Sequence, residues 1–100
     1  MEKGKDDKVT IKPEGRIDVV NSQSLKDELF TLYNEGFNEI VIDFSKITSI
    51  DSSGLGKLLL CQKKLKERGG ELTIINVTNA YIENMFKMIH LHKVINIENK

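Results

Sequence analysis

Apolar residues recur along the chain with two periods, one near two residues and one near 3.6, and the two alternate from the N-terminus to the C-terminus. Val9 and Ile11 alternate with polar residues, Pro13-Glu14-Gly15 interrupts them, and Ile17 resumes the pattern. Such a segment is either a hairpin turning at Pro13 to Gly15 or one interrupted strand at a sheet edge, where proline is tolerated. Leu25, Leu29, Leu32 and Tyr33 then fall at helical spacing behind a cap at Asn21 or Ser22, with Gly36 as the stop. Ile40, Val41, Ile42 and Phe44 form a nearly continuous apolar run, the pattern of a strand buried on both faces. A helix beginning at Asp51 to Ser53 carries Leu55, Leu58, Leu59 and Leu65 as its buried stripe and ends at Arg68-Gly69-Gly70. Leu72 to Val77 is a second β-branched strand. Ile82, Met85, Phe86 and Ile89 form a third helical stripe after a cap at Thr78 or Asn79, and Val94, Ile95 and Ile97 a last short strand.

Strands alternating with helices imply an α/β fold, with parallel strands joined by crossovers and helices packed on the sheet. One hundred residues suffice for one core. Neither an internal repeat nor an interdomain linker divides the chain. Residues 1–8 read as a flexible charged N-terminal arm and 9–100 as a single domain.

Charge removes several function classes. Lys plus Arg and Asp plus Glu each number 15, and no basic run lies beside aromatics, so direct nucleic-acid binding is not expected. Cys61 is the only cysteine, which excludes an internal disulfide and argues against a cysteine-based zinc site. The charged start lacks the apolar stretch of a signal peptide, and no apolar run reaches membrane-spanning length. A cytoplasmic protein without membrane insertion is expected.

The chemistry concentrates in Ile50-Asp51-Ser52-Ser53-Gly54-Leu55-Gly56, a strand-to-helix turn with an acid, two hydroxyls and two glycines. A helix start exposes free N–H groups and the positive end of the helix dipole. A serine there serves as a cap, a phosphate acceptor or a nucleophile. The nucleophile is disfavoured: the turn is not Gly-x-Ser-x-Gly, and the only histidines, His90 and His92, lie near the C-terminus. Those two lack a clear third ligand for a metal. Gly54-Leu55-Gly56-Lys57 fails as a phosphate loop, because Asp51 and Leu58 stand where glycine and Ser or Thr are needed. No spacing pairs Asp18, Asp43 and Asp51 as acid and base, and Cys61 reads as a structural, partly buried thiol. No catalytic residue, metal or cofactor is therefore expected. Capping needs a single Ser or Asp. It leaves unexplained the second hydroxyl and the two glycines, each of which costs roughly 1 kcal/mol against alanine. Glycines at Gly54 and Gly56 would open the backbone to close approach by another surface. On the residues alone, cap and contacted site stand level.

Ile40-Val41-Ile42-Asp43-Phe44 followed by Ile50-Asp51-Ser52-Ser53-Gly54-Leu55-Gly56 resembles the hallmark of STAS domains, in particular bacterial anti-sigma factor antagonists of the SpoIIAA type. Gly15-Arg16-Ile17-Asp18 with Asn21 and Leu25, and Gly69-Gly70-Glu71-Leu72, resemble two weaker markers. The resemblance runs from Val9 to Ile97. It implies a four- or five-stranded, mostly parallel mixed sheet with about three helices mainly on one side, and it favours the interrupted edge strand over the hairpin. Three departures accompany it: a charged arm in place of an additional first strand, Arg16 beside the marker glycine, and a final helix that is missing or vestigial.

By resemblance, Ser52 is the regulatory phosphoserine, with Ser53 its nearest competitor, and Asp18 is an acid that orients Ser52 or touches the partner. The partner surface comprises Asp18, Asp51, Ser52, Ser53, Gly54, Leu55 and Gly56. The implied partners are an anti-sigma factor with serine kinase activity and a PP2C-type phosphatase. Together they make a partner-switching regulator of transcription that is not an enzyme. The same resemblance admits a non-switching STAS subunit of a stress-signalling or lipid-transport complex.

Overall fold

Pro13 sets the first feature of the fold. In the computed structural model, which describes residues 7–98, Val9 and Ile11 lie in β1 (Lys8–Ile11) and Ile17 in β2 (Gly15–Ile17). Proline, with no N–H to contribute to a ladder, falls in the gap between them. β1 pairs parallel with β3 (Glu39–Asp43), and β2 pairs parallel with β4 (Ile47–Ile50). No ladder joins β1 to β2 among the described residues, so the segment is an interrupted strand and not a hairpin. The neighbouring strand breaks at the same level, where β3 gives way to β4. Gly15, at φ 88°, a conformation that favours glycine, donates its N–H to the Lys46 carbonyl at 2.9 Å across the break.

Two further strands, β5 (Glu71–Ile75) and β6 (Asn96–Glu98), complete a four-stranded sheet in the order β1-β3-β5-β6, with β2-β4 as a separate two-stranded ladder. Every ladder among the described residues is parallel. Parallel neighbours need a crossover, and α1 (Ser22–Asn34), α2 (Ser52–Glu67) and α3 (Ala80–Met88) supply them. The side chains that alternate along the strands sort the two faces. Ile40, Ile42, Leu72 and Ile74 are fully buried against the helices, in one core with Leu29, Leu58, Leu65, Ile82 and Phe86. The opposite face forms a shallow depression of about 430 Å³ lined by strand residues alone, among them Thr10, Val41, Thr73 and Asn96. The α/β architecture with helices on one side is the expected one.

Some details differ from the sequence pattern. β4 was not expected, because Ile47 and Ile50 are both buried at a spacing of three, which breaks the period of two. On α2 the buried stripe is Gly54, Leu58, Cys61, Gln62 and Leu65; Leu59 is 38% exposed and Leu55 half-buried. Gln62 is tolerated inside because its amide donates to the Val94 carbonyl at 2.6 Å and accepts the Leu72 N–H at 2.8 Å. Ile89 falls beyond α3 and is exposed. Leu91–Lys93 form a 3-10 turn before β6, which leaves Val94 and Ile95 outside the last strand. The charged arm meets the described residues only at Asp7 and Lys8, and these are tied in. Lys8 belongs to β1, and the Asp7 carbonyl accepts the N–H groups of Asn38 and Glu39. The rest of the arm, and the additional first strand it was set against, lie outside the described residues.

Candidate functional site

Parallel strands β2 and β4 place Ile17 opposite Ile50 and then end at the same side of the molecule. The chain leaving β4 enters α2 at once. Asp51 is its N-cap, with extended backbone (φ −110°, ψ −174°), and its Oδ1 accepts the Gly54 N–H at 3.1 Å. The Asp51 N–H in turn donates to the Ile17 carbonyl at 3.0 Å, which fastens the helix start to the end of β2. One carboxylate therefore performs the capping, and neither serine is needed for it. Ser52, the first helical residue, is exposed, and its hydroxyl has no hydrogen-bond partner among the described residues. Ser53 is half-buried and caps nothing.

The two glycines separate. A Cβ at Gly54 would lie 2.5 Å from Ile17 Cγ2, 2.9 Å from Ile50 Cγ1 and 3.2 Å from the Ile17 carbonyl, so the first turn of α2 rests directly on β2 and β4. Gly54 is buried, and the expectation that it opens the backbone to another protein gives way to a close approach within the chain itself. At Gly56 a Cβ would meet nothing within 4 Å, and the residue is exposed. Leu55, half-buried, packs against the core.

Asp18 stands beside this helix start but turns to its own loop. Its Oδ1 accepts the N–H groups of Val20 at 3.0 Å and Asn21 at 3.2 Å, and its Oδ2 lies 3.8 Å from Arg16 Nε. Asn21 returns the bond, accepting the Asp18 N–H at 2.7 Å, while its amide donates to the Arg16 carbonyl. Asp18 makes no hydrogen bond to Ser52 among the described residues, so the orienting role is not seen. Asn21 is the N-cap of α1 by position, but its side chain serves β2 instead of the helix. This reciprocal Asp-Asn turn was not expected, although Asp-x-x-Asn is a turn-forming spacing.

The other candidates lie elsewhere. α3 runs away from the end where Asn79 caps it, carrying His90 about 13 Å down its nine residues. Asn79 itself donates to the Thr48 carbonyl of β4 at 3.3 Å. Because β5 and β6 are parallel, α3 runs back toward the start of the strands and carries His90 away from the strand ends where Ser52 lies. His90 and His92 stack edge to face at 6.1 Å, are exposed, and join no group of three potential metal ligands among the described residues. Cys61 is fully buried, not partly. Burial pushes its thiol up to about 11 although Arg68 pulls the other way, so it is an inert packing residue. Asp43 closes a turn at the end of β3, accepting the Ser45 N–H at 2.8 Å and the Asn76 amide at 3.0 Å. Burial raises its pKa, but the Ser45 and Asn76 hydrogen bonds and the Lys12 charge outweigh that and hold it below the ordinary carboxylate value.

The parallel sheet with helices on one face is a fold shared by known proteins. The family model described as STAS domain matches residues 1–100. The chain belongs to the STAS domain family. This STAS domain is 30% identical over 86 residues to the anti-sigma-B factor antagonist of Bacillus subtilis, covering 86% of the chain and 77% of that relative. It superposes with a TM-score of 0.83 on the crystal structure of a putative anti-sigma factor antagonist from Thermotoga maritima. That protein is 26% identical, with 95% of this chain and 81% of that one covered. The unphosphorylated form of the anti-sigma factor antagonist SpoIIAA shares the fold at a TM-score of 0.66 and 18% identity, over 93% of this chain and 94% of that one. Among the described residues, no helix of the STAS domain is long and apolar enough to cross a membrane.

Proposed function

We propose that this STAS domain is an anti-sigma factor antagonist, a binding protein with no turnover of its own. Its unmodified form engages an anti-sigma factor and releases a sigma factor, and phosphorylation of Ser52 ends that engagement. The observation that carries this reading is the Ser52 hydroxyl, exposed and without a partner among the described residues, at a helix start that Asp51 already caps. Relatives named as anti-sigma factor antagonists lend it support.

The chemistry suits the position. An anti-sigma factor with serine kinase activity brings ATP; Ser52 Oγ attacks the γ-phosphorus, the new O–P bond replaces the bond to ADP, and the hydroxyl proton passes to a base on the kinase. The phosphate adds about −1.5 to −2 charges, which the free N–H groups and dipole of α2 tolerate. The domain therefore keeps its fold. A partner seated over Ser52 meets a dianion next to the Asp51 carboxylate and loses roughly a hundredfold or more in affinity. A PP2C-type phosphatase restores the hydroxyl by hydrolysis.

The test is incubation with a purified anti-sigma kinase and ATP, followed by intact-mass and peptide mapping. One added phosphate on Ser52 is expected, with Ser52→Ala binding constitutively and Ser52→Asp binding poorly. No phosphate, or phosphate confined to Ser53, overturns the assignment.

A further inference from the structure

The turn between β2 and α1 carries two neighbouring valines that the fold does not use. Val19 is 73% exposed and Val20 83% exposed. Single exposed apolar residues are ordinary, but turns favour Gly, Asn, Asp, Ser and Pro, and adjacent β-branched residues gain nothing there from the chain's own core. The backbone beneath them is held firmly. Asp18 and Asn21 exchange side-chain bonds across the turn, the Asn21 amide reaches the Arg16 carbonyl, and the Ser22 N–H closes on the Asp18 carbonyl at 2.7 Å. The result is a rigid apolar knob presented to the outside.

Its position is fixed relative to Ser52. Ile17 and Ile50 are partners in one parallel rung, so Val19 and Ser52 each lie two residues beyond that rung, at the same end of the ladder. The bond from the Asp51 N–H to the Ile17 carbonyl and the contact of Gly54 with Ile17 fasten the two segments together. A protein surface that covers Ser52 reaches this turn as well.

We infer that Val19 and Val20 anchor the partner that Ser52 controls, inserting into an apolar recess on the anti-sigma factor beside the phosphorylation site. The inference rests on the antagonist reading above and names the part of the surface that supplies affinity. Valine side chains have little rotamer freedom to lose, and a pre-set turn lowers the ordering cost of association. An apolar contact next to Ser52 also gives the switch its force, because a phosphate carried against an apolar wall loses its water without gaining a partner.

The test measures binding of the wild-type chain, the Val19→Ser/Val20→Ser double variant and Met88→Ser to each purified anti-sigma factor of the source organism. Met88 is 79% exposed near the C-terminal end of α3, far from the turn, and controls for generic loss of surface hydrophobicity. The double variant should bind roughly tenfold or more weakly, equivalent to about 1.4 kcal/mol or more, with an unchanged melting temperature, while Met88→Ser binds like wild type. A loss below threefold in the double variant, or an equal loss in Met88→Ser, overturns the anchor while leaving the antagonist reading intact. A wild-type chain that binds no anti-sigma factor overturns the antagonist reading and the anchor with it. Sedimentation showing a dimer that the double variant dissolves would assign the turn to self-association instead.

Discussion

At the C-terminal end of α2, the Arg68 guanidinium donates to Asn38 Oδ1 at 2.7 Å and to the carbonyls of Tyr33 and Phe37 at 2.7 and 2.8 Å. It also lies 3.7 Å over the Tyr33 ring. At the N-terminal end, among the described residues, the Ser52 hydroxyl has no partner and the valines of the neighbouring turn have no cover. Both ends are anchored, the first by the Arg68 side chain and the second by the Asp51 side chain and backbone, but Ser52 takes no part. One end of the helix joins α1 to the sheet, and the other leaves the Ser52 hydroxyl out of the stabilising contacts among the described residues. Because no part of Ser52 is buried internally, the proposed phosphorylation would alter binding without altering the fold.

The sharpest way to break this contrast is to add one methyl group at each end. Gly70 packs against the Asn38 backbone, which cannot give way. Gly70→Ala should therefore cost about 3 kcal/mol, read by denaturant unfolding. Gly54→Ala meets the more compliant Ile17 and Ile50 side chains and should cost about 2 kcal/mol. Gly56→Ala meets nothing and should stabilise the helix by about 0.5–1 kcal/mol. Equal effects at Gly54 and Gly56 would mean that both glycines serve the same purpose, against the internal role assigned to the first.

Arg68→Ala should come next, costing about 2 kcal/mol through the lost carbonyl bonds and ring stacking; Arg68→Lys should recover little, because a compact ammonium lacks the planar guanidinium fork that spans these acceptors while stacking on the Tyr33 ring. At the other end Asp51→Ala should cost about 1 kcal/mol as a lost cap. Ser52→Ala should stay within about 0.5 kcal/mol of wild type in the same unfolding experiment. If Ser52→Ala proved as costly as Asp51→Ala, the serine would be part of the cap and the separation of roles would fail.

The smallest effect concerns pH. Because Asp43 is held below its ordinary 3.8 in the folded state, its contribution is present above that value and is lost as pH falls through the lower folded value. Asp43→Asn should flatten the acid limb of the stability curve in that range and leave Ser52 phosphorylation unchanged. An unaltered acid limb would remove Asp43 from the accounting.

Much of this was legible in the chain itself, and the reason is periodicity. Ile40 to Phe44, Leu25 to Leu32 and Leu72 to Val77 state their elements because burial on one or both faces leaves a repeat that local sequence cannot hide. β4 escaped because four residues with buried isoleucines three apart carry no period. Leu59 and Ile89 misled for the opposite reason: helical spacing marks a stripe wider than the face that neighbouring elements cover. At the site, Asp51-Ser52-Ser53-Gly54-Leu55-Gly56 announced a helix start with more chemistry than a cap requires. Which residue does what was not readable there.

By itself the sequence determined the α/β class and the position of the serine-bearing helix start. These follow from local spacing and residue chemistry. Only the tertiary structure decided that Asp51 alone is the cap, that Gly54 is taken up by Ile17 and Ile50 while Gly56 stays open, and that Val19 lies at the same end as Ser52. The packing of Gly54 and the placement of Val19 depend on β2 pairing with β4, a contact between segments some thirty residues apart, and no local pattern encodes which atoms such a pairing will bring together.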